Sequence, residues 1–457
     1  MLIRLEDNRH NQEFSCENSC DKLQELLNGV SGKKYSELCT PELGFIVFPP
    51  NAQNVDIKND DVVLESCFEK EKFKFTTSNV MGFFSLDEDV RVKISSRFDN
   101  SGKDFFLHYM LQKVCNVAYT PRTESGEDAF YDFLYQLFPY YLNDALAQGI
   151  YRAYVTREYN DANVRGPIDV ARHIKYNIPF NGKIAYHTRE YTTDNAITQL
   201  IRHTIEYVRS LQYGEKVLEN GSKNLRDNIM AIEMATPTYS RNDRLNIIRR
   251  NARPVTHPYY SAYEPLRKLC LAILTNQKLS YGDDSDNLIA GILFDGASLW
   301  EEYLNIVLAE KFADRLLHPN NRTGFGRQYL FNGTSGDIFP DFLLDIDSEF
   351  DDVMTAGQVL DAKYRAKALD SDVYKQMLSY MFRFDSKIGQ LIYPVSSNSS
   401  EKGVTVLKLR RDNSVVLRAI PFIIPAYEKN LSFKLFGDAM KEAEKEFLDN
   451  LSKDISA

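Results

Sequence analysis

At 457 residues the chain is longer than one domain usually holds, so two or three domains are expected. Its 43% hydrophobic content, with 27 Tyr and 28 Phe, promises substantial globular cores; no run of eighteen apolar residues and no apolar signal core at the N-terminus are found, so neither a membrane span nor a signal peptide is expected and a cytoplasmic location is the default. The net charge of −9 does not advertise a nucleic-acid binder, although local patches rather than the total set the field at a site.

Residues 1–122 are predicted to form a β-rich domain. Leu43–Phe48 is a short apolar run, Pro49-Pro50-Asn51-Ala52 marks a turn, and Val90–Ser95 alternates as a half-buried strand does. The six cysteines, at 16, 20, 39, 67, 115 and 270, contain no Cys-x-x-Cys pair and support neither a zinc site nor a disulfide framework.

Residues 123–280 are predicted to be mostly helical. A long helix over about 125–146 carries Phe130, Phe133, Leu134, Leu137, Phe138 and Tyr141 as a wide apolar stripe. Ser125 and Asp128 suit a capping pair, and Pro139 is expected to kink or split the helix. Further on, Leu200, Ile201, Ile205 and Val208 mark one helix, and Leu266, Leu269, Cys270, Ile273 and Leu274 another. Charge is uneven along the chain: residues 1–160 hold 17 basic and 25 acidic side chains, whereas 161–260 hold 15 basic and 10 acidic. Within that basic stretch lie Arg241, Arg244, Arg249, Arg250 and Arg253, with Tyr259 and Tyr260 behind them. The cluster suits phosphate contact through forked guanidinium groups, and equally a solvated helix face. His173, His187 and His203 lack metal-site spacing and are read as surface or cap residues. No Gly-x-Ser-x-Gly elbow and no Gly-x-x-x-x-Gly-Lys-Ser/Thr loop is present, so neither serine-nucleophile chemistry nor nucleotide hydrolysis is expected of this chain.

Residues 281–457 read as helix, strand, strand, helix, strand, a mixed sheet with flanking helices. Leu299–Leu304 is an amphipathic helix with Glu301 and Glu302 beside its apolar stripe. Asp341 opens an apolar run, and Asp361 ends a second one with Lys363 two residues later. Side chains alternate along a strand, so Asp361 and Lys363 share a face, with Ala362 turned to the core. A hairpin between the runs brings the two acids together, where they suit a hard divalent cation, with the lysine placed to act on water and phosphate. The plainer alternative is a solvated charge pair on the outside of an ordinary hairpin. A helix over 372–380 follows, with Val373, Met377 and Tyr380 inward and Gln376 and Tyr380 on one face. Gly389–Pro394 reads as a buried strand, 405–409 and 415–420 as a hairpin around Asp412-Asn413, and 438–451 as a terminal helix. Five acids between Asp345 and Asp352 are read as a solvated hairpin tip.

These parts, in this order, resemble the PD-(D/E)xK nuclease superfamily, and Gln376-x-x-x-Tyr380 resembles its RecB-like branch. Ala147–Tyr154, Val164–Asp169 and Arg189–Asn195 narrow the resemblance to the McrC family, the nuclease subunit of the McrBC modification-dependent restriction system. The resemblance covers roughly residues 130–395. It implies an α/β and α+β multidomain chain whose C-terminal part is an endonuclease and whose N-terminal part docks on a motor. It implies catalytic roles for Glu301, Asp341, Asp361, Lys363, Gln376 and Tyr380. Mg²⁺, for which Mn²⁺ substitutes, is implied to sit on Asp341, Asp361, the Ala362 carbonyl and Glu301. The implied partners are an McrB-like AAA+ GTPase hexamer and double-stranded DNA carrying 5-methylcytosine, with no membrane. Two other readings stay open: a RecB-like repair or CRISPR-associated nuclease working without that partner, and a non-catalytic adaptor of an AAA+ ring.

Overall fold

The computed structural model describes residues 1–15, 20–38, 45–48, 62–69, 72–87, 90–99, 103–115, 128–211, 214–219, 223–275, 291–319, 328–331, 333, 335–347, 354–366, 369–400, 402–426 and 432–453. The Pro49–Ala52 turn, the Ser125 cap, Cys16, Cys39 and the acids Glu349, Asp351 and Asp352 lie outside the described residues. The chain divides into two compact units, one built from Met1–Ala129 with Ala290–Ala457 and the other from Phe130–Ile289.

The first unit holds two larger sheets. One runs Leu2–Glu6, Arg91–Ser95, Val80–Ser85, Gly291–Asp295, Phe45–Phe48, with the outer pairs parallel and the inner pairs antiparallel. Arg91–Ser95 alternates as its sequence predicts, burying Val92 and Ile94. Gly291–Asp295 is an interior strand of this sheet, though it lies about two hundred residues after its neighbours. The two strands approach closely at Gly82: a Cβ there would meet the Ile292 carbonyl oxygen at 2.3 Å, so only glycine is accommodated. Ile3, Leu5, Phe73, Phe75, Phe84, Val92 and Leu293 form the core of this half. A three-stranded antiparallel sheet, Gln12–Ser15, Lys72–Thr77 and Leu64–Glu69, completes it.

The other sheet of this unit has six strands in the order Leu316–Leu317, Phe342–Asp347, Thr355–Ala362, Ile388–Ser396, Asp412–Ile424, Thr405–Leu409. Phe342–Asp347 and Thr355–Ala362 are an antiparallel hairpin; Thr355–Ala362, Ile388–Ser396 and Asp412–Ile424 are parallel. The helix Ser371–Arg383 makes the crossover between the first two parallel strands, burying Val373, Met377, Tyr380 and Met381. Its start is set by Asp370, whose side chain accepts from the Asp372 and Val373 amides. The helix Gly296–Phe312, capped by Asp295, packs on the hairpin and buries Trp300, Tyr303 and Leu304. The terminal helix Phe433–Ser452 begins five residues before its expected start, at a Ser432 cap, and buries Phe436, Met440 and Phe447. The turn between Thr405–Leu409 and Asp412–Ile424 is Arg410-Arg411; Asp412 and Asn413 lie in the strand, a correction to the expected turn.

The second unit is helical from Ala196 onward. Ala196–Ser210 is a largely buried helix, started by an Asn195–Thr198 capping box. Asp128–Ala147 is one continuous helix with Pro139 inside it. Between them stands an antiparallel hairpin of nine-residue strands, Ala153–Asp161 and Ile184–Thr192, bridged by the short helix Val170–Asn177. The sequence conceals this hairpin because Arg157 takes an inward position while Tyr154 and Tyr191 lie outward. His203 corrects the expectation of a surface histidine: it is 1% exposed and packs on Tyr239 at 4.7 Å between ring centroids. No helix among the described residues is long and apolar enough to cross a membrane.

Candidate active site

The hairpin register decides where the two acids stand. Phe342 pairs with Leu360, so Asp341 and Asp361 come next to each other, one step beyond the pair. Asp341 Oδ2 accepts the Ala362 amide at 2.6 Å, which ties the entry of one strand to the exit of the other. Asp361 is 1% exposed, so it does not belong to a solvated outer charge pair. Its Oδ2 stands 2.6 Å from the Lys363 ammonium, itself largely covered, in a charge-assisted hydrogen bond.

Burial controls the electrostatics. It pushes the Asp341 carboxyl well above the ordinary range, and the neighbouring Asp361 and Glu301 carboxylates add to the rise while Lys363 opposes it. Asp361 is raised by burial too, against the pull of Lys363. Glu301 reaches the site from the Gly296–Phe312 helix. On the opposite flank, Gln376 Nε2 donates to Tyr380 Oη at 2.9 Å, and the Tyr380 phenol, mostly buried, is pushed up to about 12. The six residues singled out in the sequence thus converge around one end of the hairpin.

Two further contacts escape the sequence. His318 follows the Leu316–Leu317 edge strand, lies flat on Phe342 at 4.9 Å, and stands 2.7 Å from the Asp341 carbonyl oxygen through Nδ1. Tyr364, directly after Lys363, is anchored in the N-terminal half of the same unit. Its hydroxyl bonds Ser96 Oγ at 2.8 Å, its ring meets Phe98 edge-on at 5.1 Å, and Arg97 both covers the ring and donates to its carbonyl. Gly296 lines this seat; a Cβ there would come within 2.7 Å of the Tyr364 ring. Neither contact has a signal in the sequence, since His318 and Tyr364 pair with residues 23 and 268 positions away.

Among the described residues no group of three or more His, Cys, Asp and Glu side chains stands close enough to hold a metal ion. The donors that do converge are the half-buried Asp341 and buried Asp361 carboxylates, with Glu301 within electrostatic reach. An all-oxygen set of this kind suits a hard cation that keeps several waters. Such a cation also offsets the repulsion from Asp361 and Glu301 that adds to the rise of the Asp341 carboxyl.

The family model described as McrBC 5-methylcytosine restriction system component matches residues 75–394, more than half of the chain. No curated protein matches. Among solved structures, the chain is similar to one titled as a refined half-complex from the tetradecameric assembly of Thermococcus gammatolerans McrB AAA+ hexamers with bound McrC. That match has 14% identity and a TM-score of 0.48, covering 99% of this chain and 100% of the other. A cryo-EM structure of the Thermococcus gammatolerans McrBC complex matches at 15% identity and a TM-score of 0.28, covering 68% of this chain and 87% of the other.

Proposed function

The chain belongs to the McrBC 5-methylcytosine restriction system component family, and from that premise we propose that it is the DNA-cutting subunit of such a system, a metal-dependent endonuclease of the PD-(D/E)xK kind. The observation that carries this reading is the half-buried Asp341 beside the buried Asp361, with the Lys363 ammonium 2.6 Å from the second acid. A structural ion pair has no need of a second, repelling carboxylate, and two acids served by one lysine in a largely enclosed setting are a feature of sites that act on charge. In this reading Asp341, Asp361, the Ala362 carbonyl and Glu301 hold Mg²⁺, or Mn²⁺ in its place. When bound, the cation lowers the pKa of water and polarises the scissile phosphate.

The protein's own groups do the rest. Asp341 is held in place by the Ala362 amide, so its second oxygen is presented in a defined direction. Lys363 orients the attacking water and offsets the charge that gathers on the phosphate oxygens. The Gln376–Tyr380 pair orients the substrate backbone or the outer shell of the site. Tyr364, locked by Ser96 and Arg97, fixes the main chain from which Lys363 projects. The substrate in this reading is double-stranded DNA carrying 5-methylcytosine. The partner is an McrB-like AAA+ GTPase hexamer, which supplies the nucleotide hydrolysis for which this chain has no phosphate-binding loop.

The test is cleavage of methylated and unmethylated plasmid with Mg²⁺, with and without the partner and GTP. Cutting of methylated plasmid alone, dependent on partner and GTP, is the expected result, with loss of at least about 10³-fold for Asp361→Asn. Cutting without the partner leaves a stand-alone nuclease. An Asp361→Asn protein that cuts at the unsubstituted rate removes the site assignment, and stimulation of the partner's GTPase with no cutting leaves an adaptor.

A further inference from the structure

We propose that Arg365 is a substrate-binding residue, one that grips a backbone phosphate of duplex DNA by exchanging its partner Asp370 for it at the rim of the candidate active site. The inference rests on the nuclease reading above. It starts from the balance of charge. Asp341, Asp361 and Glu301 are acids, and the Lys363 ammonium is already engaged with Asp361 at 2.6 Å. DNA is a polyanion, so such a site needs further positive charge before a phosphate can approach it. Arg365 lies two residues after Lys363. Its field reaches Asp361, whose carboxyl is raised by burial while Lys363 and then Arg365 oppose the rise.

The main chain here is fixed on every side. The Lys363 amide donates to the Ile392 carbonyl at 2.8 Å, Tyr364 is buried with its hydroxyl on Ser96, and the Arg365 amide turns back to the Lys363 carbonyl at 2.9 Å. From that anchored point the Arg365 side chain runs to Asp370, which it meets through Nη1 at 2.7 Å. The two side chains are 34% and 51% exposed, and an ion pair so open to water contributes little to stability. Asp370 does not depend on it, because its carboxylate also caps the Ser371–Arg383 helix through the Asp372 and Val373 amides. The pair can therefore open without loss of the helix start. A guanidinium fork matches two oxygens of a phosphate, and Asp370 holds it at the rim until a phosphate takes its place.

The readout is binding of the full-length protein to a short methylated DNA duplex in metal-free buffer, over a range of salt concentrations, alongside the thermal midpoint. Arg365→Met is expected to weaken binding about tenfold at low salt and to make the slope of log affinity against log salt shallower by about one, with its midpoint little changed. Asp370→Asn keeps a capping side chain and removes the competing charge, so it is expected to tighten binding severalfold. In the double variant that gain should vanish, because it acts through the freed guanidinium. Arg315→Met, at another exposed pair with Asp345, controls for the loss of one surface charge and is expected to bind as the unsubstituted protein does. Unchanged affinity in a folded Arg365→Met protein overturns the proposal. So does an equal loss in Arg315→Met, or a gain from Asp370→Asn that survives without Arg365. Should Arg365→Met not fold, an Asp370→Asn protein of unchanged affinity overturns it equally. An unsubstituted protein without salt-dependent binding to the duplex excludes this contact too, an outcome distinct from failure of the nuclease reading, which the plasmid assay decides.

Discussion

Asp341 is the residue where stability and the proposed function pull apart. Its carboxyl is raised by burial and by two neighbouring acids. A raised acid holds its proton longer in the folded chain than in the unfolded one. Between the ordinary carboxyl value of 3.8 and the raised one, increasing pH therefore reduces stability. Asp341→Asn removes the repulsion while keeping an oxygen for the Ala362 amide. The metal-free variant is expected to melt about 2 °C or more above the unsubstituted protein at pH 7.5, as scanning calorimetry would read, while plasmid cutting is lost. A variant that melts lower would mean that the pair is not strained by its own charge. Mg²⁺ should raise the midpoint of the unsubstituted protein and leave that of the variant nearly unmoved.

At the scale of elements, the segment leaving the Thr355–Ala362 strand matters more than the strand. Arg97 lies in the loop after Arg91–Ser95, pairs with the fully buried Asp7 at 3.2 Å, and grips Tyr364. Burial lifts the Asp7 carboxyl to about 6 even with the guanidinium opposing it. Arg97→Met is expected to destabilise the protein by about 3 kcal/mol at pH 8, since it leaves a buried acid with a main-chain amide but no counter-charge. The loss should shrink at pH 5, where the lone Asp7 is protonated. Urea unfolding at both pH values checks this, and equal losses at both would exclude Asp7 as the cause. The elements closest to the site were partly legible beforehand: the hairpin runs and the Ser371–Arg383 helix announce themselves by pattern, whereas only Leu299–Leu304 of the Gly296–Phe312 helix was read, its apolar residues lying nearly all round. The Ala153–Asp161 and Ile184–Thr192 hairpin did not, because its two faces mix apolar and charged residues. The Arg410-Arg411 turn was displaced by two residues, since Asp412-Asn413 looks more like turn chemistry than the pair that makes it.

At the scale of the whole molecule, the first unit is discontinuous in sequence. Gly291–Asp295 completes a sheet whose other strands lie before residue 96, and Trp300 packs beside Phe106 at 6.2 Å. A fragment starting at residue 290 is expected to be unstable or insoluble alone, and to be rescued by co-expression with residues 1–129. A well-dispersed NMR spectrum from the C-terminal fragment alone would argue against this interdependence. Acid stability carries a second prediction. Burial holds His203 in the helical unit, and His108 in the first, near 4 rather than 6.5. A depressed imidazole contributes its full stability above 6.5 and loses it as pH falls toward 4. His203→Phe should therefore lessen the loss of stability between pH 7 and pH 5 by about 1 kcal/mol, read from denaturant midpoints. An unchanged loss would assign the acid sensitivity elsewhere.

The sequence by itself determined which of the residues proposed for the site stand together, because strand alternation and helical period are local: Asp361 and Lys363 two apart, and Gln376 and Tyr380 four apart, meet whatever the rest of the chain does. It also carried the family resemblance that the match over residues 75–394 supports. Only the tertiary structure decided that Asp361 is buried rather than solvated, that His203 is enclosed, and that Gly291–Asp295 enters the N-terminal sheet. It alone brought His318 to the Asp341 carbonyl and Tyr364 to Ser96 and Arg97. Those contacts join residues far apart in the chain, and their partners are chosen by packing and hydrogen-bond satisfaction across elements, which leave no periodic trace along a single segment.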